Sequence, residues 1–249
     1  MRLMKILVLR NLVAIWAVVT ALSVLSFPAR AEEASDKSPL LTVVELFTSQ
    51  ACPRSPAGDH NLSKIADRPD VLALTFPVTY WDYLGWADTF ALEEFTERQK
   101  FYIARLKDQW LYTPQAVVQG QQGISAEDTD ALETAIANTR QLSLALPEPQ
   151  LSEDRSTLTL VQDRLTSSAN TVLQVVFFER GPITVEVSAG KNAGKTLSYV
   201  NVVRSLAEMN TDIMTIPENL RSLSCAVLLQ DSVDGRILGA SVCPSAENF

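Results

Sequence analysis

The sequence predicts an α/β unit over residues 32–140 and then an all-β, antiparallel sandwich-like unit over residues 141–249. Two observations divide it. Up to about residue 140, short apolar runs rich in β-branched residues alternate with stretches of helical periodicity. Beyond "LSLALPEPQLSED" that periodicity lapses, leaving about seven short apolar runs separated by Gly, Pro, Asn and Asp clusters. A third observation sets residues 1–31 apart from both units, as an export leader.

In the leader, Arg2, Lys5 and Arg10 precede an apolar core from about Leu12 to Phe27, and Ala29-Arg30-Ala31 fits the small-x-small cleavage rule. The reading is a signal peptide over residues 1–31. An uncleaved anchor is the alternative, because the stretch is near bilayer-spanning length. Cleavage removes four basic and no acidic residues, taking the formal charge from −8 to −12. Such acidity argues against a nucleic-acid partner. With no second apolar segment of spanning length, the expectation is a periplasmic or secreted protein with no membrane span after cleavage. Disulfides persist in that compartment.

The α/β unit reads in order. "LLTVVELF", Leu40–Phe47, is a buried strand, and Ser55-Pro56 supplies an N-cap and first-turn pair for the helix "SPAGDHNLSKIAD". Asp70–Val78 is a second strand. Ala91–Asp108 is a helix with Phe95, Arg98/Gln99 and Tyr102 at helical spacing. Gln115–Ile124 is a hairpin, and Ser125 to Asp128 opens an amphipathic helix with a capping pattern. The order β-α-β-α-β-β-α is a three-layer unit. In the second half, Leu142–Leu146, Thr157–Gln162, Thr171–Glu179, Ile183–Ala189, Ser198–Arg204, Leu223–Gln230 and Arg236–Cys243 read as strands.

The runs "VVELFTSQACPRSPAGD", "FPVTYWDYLGWADTFALEEFTERQKFY" and "LYTPQAVVQG" strongly resemble a family of bacterial secreted thioredoxin-like proteins, known mainly as a domain of unknown function. The resemblance covers most of residues 41–140 and continues more loosely through "AGKNAGKTLSYVNVVR" and "DGRILGA". It implies a thioredoxin-like fold for residues 32–140, with Pro114 a cis-proline facing the cysteine turn. Members of the family usually carry Cys-x-x-Cys in that turn. The match puts their first cysteine on Cys52 and their second on Ser55. A dithiol enzyme needs the second thiol to release its mixed disulfide, and Ser55 cannot act so. A monothiol still forms mixed disulfides and shuffles bonds with an external thiol.

Position also argues for Cys52. A thiol at a helix N-terminus meets the positive end of the dipole and free N–H groups, and Arg54 is a nearby cation. In the arrangement that the resemblance implies, the Thr113 backbone would pair with an extended substrate segment. Glu45, seven residues before Cys52, is either a buried proton relay or an ordinary carboxylate on an edge position. Around Val233-Asp234-Gly235, counting outward from Ser232 opposite Arg236 brings Cys225 opposite Cys243 at a non-hydrogen-bonded site. A cross-strand disulfide is then geometrically open; the alternative is two free, small core residues. Trp81, Tyr83 and Trp86 either line a peptide groove or pack as core.

Other signals carry less. Gly190–Thr196, "GKNAGKT", lacks the spacing of a phosphate loop and reads as a solvated turn. His60, the sole histidine, makes a metal site improbable, and no cofactor is implied. Two functions stay open. One is monothiol (Cys-x-x-Ser) exchange with exported protein thiols and disulfides or glutathione-like small thiols. The other is a binding or assembly module in which redox chemistry has been lost.

Overall fold

A computed structural model describes residues 40–106, 110–139, 143–160 and 170–244. The expected leader lies outside the described residues. The first half forms β1 (Thr42–Thr48), α1 (Ser55–Ile65), β2 (Val71–Pro77), α2 (Glu93–Leu106), β3 (Gln115–Val118), β4 (Gln122–Ser125) and α3 (Thr129–Thr139). The second half is built of β5 (Leu144–Ala145), β6 (Gln150–Leu151), β7 (Thr157–Thr159), β8 (Thr171–Glu179), β9 (Ile183–Glu186), β10 (Thr196–Tyr199), β11 (Val202–Glu208), β12 (Ile213–Thr215), β13 (Ser224–Asp231) and β14 (Ile237–Val242).

These strands overturn the expected fold class. They do not make a thioredoxin-like α/β domain with a separate sandwich behind it. Among the described residues, one mixed nine-stranded sheet runs β4-β3-β1-β2-β11-β8-β13-β14-β5, taking strands from both halves. The join is at β2, whose outer edge accepts β11 in parallel at Val202 opposite Thr75. There the Thr75 N–H donates to Asn201 O at 3.0 Å and its hydroxyl to Val200 O at 2.6 Å. Small sheets β10-β9 and β12-β7-β6 complete the strands. The described residues belong to one compact unit.

Packing explains why local patterns suggested two units. Strand periodicity reports which residues face one side, and it cannot report whose neighbour they meet. Val43 and Phe47 of β1, Leu74 and Phe76 of β2, and Phe95 and Tyr102 of α2 share a single core with Val176 and Phe178 of β8 and Ala226 and Leu228 of β13. Helix α2 therefore lies on a face built by both halves. On the opposite face of the first half, α1 and α3 bury Leu62, Ile65, Leu132 and Ile136 against Val44, Leu46 and Val118. The predicted strand Ser198–Arg204 breaks in two at Asn201, whose φ of 46° is left-handed. Strands β6 and β12, of two and three residues, carry too little pattern to be read.

Candidate functional site

Strand β1 ends at Thr48 and delivers a tight turn to α1. Cys52 N–H donates to Ser49 O at 3.1 Å, Ala51 N–H to Ser49 Oγ at 3.2 Å, and Ser49 N–H to Ser55 Oγ at 3.1 Å. Ser55 is thus the first residue of α1 and not its N-cap, which is Arg54 without a side-chain cap bond. Its hydroxyl fixes the turn from inside. Cys52 is the free cysteine and only 2% exposed. Its Sγ–H donates to Thr113 O at 3.6 Å, beside the cis Thr113–Pro114 peptide. Gly58 permits this approach of α1: a Cβ there would stand 2.4 Å from Pro114 Cβ.

Two connecting segments are bolted to the turn. Gln50 N–H donates to Asp88 Oδ2 at 2.7 Å, and Gln50 Oε1 accepts from Trp86 Nε1 at 2.8 Å and Thr89 N–H at 3.2 Å. From the other side Asn192 Nδ2 donates to the carbonyls of Gln50 and Cys52, both at 2.8 Å. Asn192 is fully buried, so the solvated turn read at "GKNAGKT" is corrected. It clamps the cysteine loop. Replacing Asn192 with alanine is expected to lower stability by about 2 kcal/mol, because two buried carbonyls lose their donor. It is also expected to speed Cys52 alkylation severalfold, which urea titration and timed iodoacetamide labelling will measure.

The buried acids nearest this turn are ones the sequence reading passed over. Asp59, one helical turn beyond Ser55, accepts from the Thr48 hydroxyl at 2.7 Å, and its Oδ2 is unpartnered. Burial holds its carboxyl well above the usual range, opposed by the Thr48 bond and reinforced by Asp88. Burial likewise pushes Asp88 up to about 6, against the N–H groups of Gln50 and Phe90. Tyr199 of β10 is raised by burial and then by both carboxyls. A signal for Asp59 existed: Ser55, Asp59 and Leu62 share one helical face, and that face is buried.

Glu45 lies elsewhere. It is not on an edge, since β1 sits between β2 and β3, and it is fully buried. Its Oε1 accepts from Arg98 Nε at 2.8 Å and Nη2 at 2.7 Å. It is thus held by a buried cation on α2. Arg54 turns to the surface and pairs with Glu127 through Nε at 2.8 Å; that hydrogen bond and charge raise its pKa. Trp81 stacks on Tyr83 with centroids 6.2 Å apart, and Tyr83 is 77% exposed. Trp86 packs with Val187, Leu197 and Tyr199. The three aromatics therefore split between surface and core.

Cys225 and Cys243 form a disulfide across β13 and the end of β14, with Cα atoms 5.2 Å apart. The turn is one residue out of the expected register: Asp231 N–H bonds Arg236 O. A bulge between Leu229 and Gln230 restores it, so Ala226 faces Val242. Cys243 N–H donates to Cys225 O at 2.8 Å, which corrects the expected non-hydrogen-bonded site. Among the described residues no His, Cys, Asp and Glu group has the geometry of a metal site, and no helix is long and apolar enough to cross a membrane.

A family model described as a protein of unknown function, DUF1223, matches residues 43–230. The crystal structure of protein AGR_C_4864 from Agrobacterium tumefaciens is similar at 29% identity and a TM-score of 0.65, over 82% of this chain and 94% of that one. HBP35 of Porphyromonas gingivalis shares the fold at 11% identity and a TM-score of 0.50, over 82% of this chain and 74% of that one. No curated protein matches the sequence.

Proposed function

The chain belongs to the DUF1223 family, and from that premise we propose that it is an exported, periplasmic or secreted protein whose Cys52 carries out monothiol exchange, with Ser55 where a second thiol would stand. The carrying observation is the division of its cysteines. Cys225 and Cys243 are joined, while Cys52 is kept free at the start of α1, facing Thr113. A structural disulfide accords with an oxidising compartment, and a leftover thiol in such a protein is the one to suspect of reactivity.

In this reading Cys52 attacks a disulfide, one sulfur leaves as a thiol, and the mixed disulfide waits for an external thiol because Ser55 cannot resolve it. Burial of Sγ favours small partners of the glutathione kind over protein disulfides. The second reading, a redox-inactive binding module, is favoured by the same 2% exposure of Cys52 and its S–H bond to a carbonyl.

Incubating the folded protein with oxidised glutathione and weighing its peptides separates the two. Monothiol exchange is expected to add one glutathione to Cys52 and to none of the others. An unmodified Cys52, together with alkylation no faster than that of free cysteine across pH 6–9, would sink the exchange reading.

A further inference from the structure

The nine-stranded sheet has a gap where its two halves meet. Strand β2 begins at Val71, but β11 joins its outer edge only at Thr75, opposite Val202. On the far side of β11, β8 stays paired as far as Glu179. Val71 and Leu72 at the start of β2, and Arg180 and Gly181 just after β8, are therefore left around a space that no described strand fills. Asn201 turns the chain into β11 with a left-handed φ of 46°, and its Nδ2 holds the bend by donating to Ala73 O at 2.9 Å. The space is a cavity of about 190 Å³.

Its walls divide by chemistry. Leu72, Phe178 and Val242 line it with apolar surface, and the first two belong to the core that both halves share. Asp67 and Arg180, both exposed, line it with opposite charges. Arg180 Nε donates to Ser224 Oγ at 3.0 Å, which leaves the two Nη groups for a ligand. Among the described residues, neither the Asp67 carboxylate nor those Nη groups has a hydrogen-bond or ion-pair partner, so the two charges share a cavity without neutralising each other. Helix α1 ends at Ile65, close to Asp67, and the negative end of its dipole adds to that side's preference for a cation.

A small-molecule site is mostly apolar, with a few placed polar groups that fix the ligand's orientation. Here the complement is a molecule with an apolar body, one carboxylate and one ammonium group. Size agrees, since a cavity of roughly 150 Å³ admits benzene. There is room for one apolar side chain and none for a strand of several residues.

We propose that this cavity binds a free amino acid with a branched or aromatic apolar side chain. Its carboxylate pairs with Arg180, its ammonium group with Asp67, and its side chain lies against Leu72, Phe178 and Val242. A peptide terminus brings only one of the two charges. The proposal uses no property of Cys52 and stands or falls apart from the exchange reading. Because the ligand touches both halves of the sheet at their join, its binding stabilises the fold by mass action.

The test is isothermal titration calorimetry of the full chain with L-leucine and with L-phenylalanine. At least one is expected to bind with Kd below about 1 mM. Binding is expected to weaken about tenfold in Arg180→Gln and in Asp67→Asn, each of which removes one charged partner. Both positions are exposed, so these variants are expected to keep the urea midpoint of the parent chain. The amide of the amino acid that binds lacks the carboxylate, its N-acetyl derivative lacks the ammonium group, and glycine lacks the side chain. Each is expected to bind at least about tenfold more weakly. The proposal is overturned if neither amino acid binds, if both variants bind as tightly as the parent chain, or if any of the three controls matches the amino acid.

Discussion

Replacing Arg98 with methionine is expected to destabilise the protein by about 3–5 kcal/mol, since it strands the Glu45 carboxylate without its cation inside the core. Arg98 is 7% exposed and Glu45 fully buried. Besides the two bonds to Glu45, the guanidinium donates to Gln174 Oε1 at 2.9 Å, Gln230 Oε1 at 3.3 Å and Tyr102 Oη at 3.0 Å. It also lies over the Phe76 and Tyr102 rings. Burial opposes its charge, but Glu45 and Tyr102 outweigh that cost and raise its pKa.

The partners span the chain. Glu45 is on β1, Gln174 on β8 and Gln230 on β13, so one side chain ties the two halves of the sheet together. Urea unfolding followed by circular dichroism will show the loss as a lower midpoint in a single transition. The double variant with Glu45→Leu is expected to recover at least half of it, because an apolar pair leaves no unpaired charge. A loss below about 1 kcal/mol for Arg98→Met would mean that water reaches Glu45 and that the pair is not a core interaction.

The second large effect is in pH. Both buried carboxyls beside the cysteine turn have folded pKa values above the ordinary 3.8, Asp88 at about 6 and Asp59 raised in the same direction. A group raised in the folded state gives stability that is complete below its unfolded pKa and is lost as pH rises through the folded one. For Asp88 the window is therefore pH 4 to 6, and the shift corresponds to about 3 kcal/mol. The protein is expected to be more stable at pH 5 than at pH 7.5.

Asp59→Asn keeps an acceptor for the Thr48 hydroxyl and carries no charge. It is expected to stabilise the protein at pH 7.5 and to flatten the pH profile. Urea midpoints across pH 4.5–8 read both outcomes. A midpoint that climbs steadily with pH, or an Asp59→Asn variant weaker at pH 7.5, would contradict the burial assigned to these acids.

Much of the site was legible for local reasons. The turn around Cys52 needs only the end of an apolar strand, a Ser-Pro helix start and a cysteine between them. The pairing of Cys225 with Cys243 came from counting along one hairpin, and it held although the turn is a residue out of register, because the bulge at Leu229 and Gln230 offsets the slip. What escaped was non-local. Asn192 reaches Cys52 across 140 residues of chain and reads as a loop asparagine until the fold delivers it. Glu45, left open between a relay and an edge carboxylate, is sent by strand alternation to the opposite side of β1 from Thr48, toward Arg98.

The sequence by itself determined helices α1, α2 and α3, the principal strands, the free thiol with Ser55 beside it, and the family of unknown function. Each follows from periodicity, turn chemistry or motif within a few dozen residues. Only the tertiary structure decided that β11 closes on β2 and makes one sheet of two apparent domains, and that Asn192 and Asp88 converge on the turn that carries Cys52. Those outcomes depend on which faces meet, and a pattern of apolar residues marks a face as buried without naming what buries it.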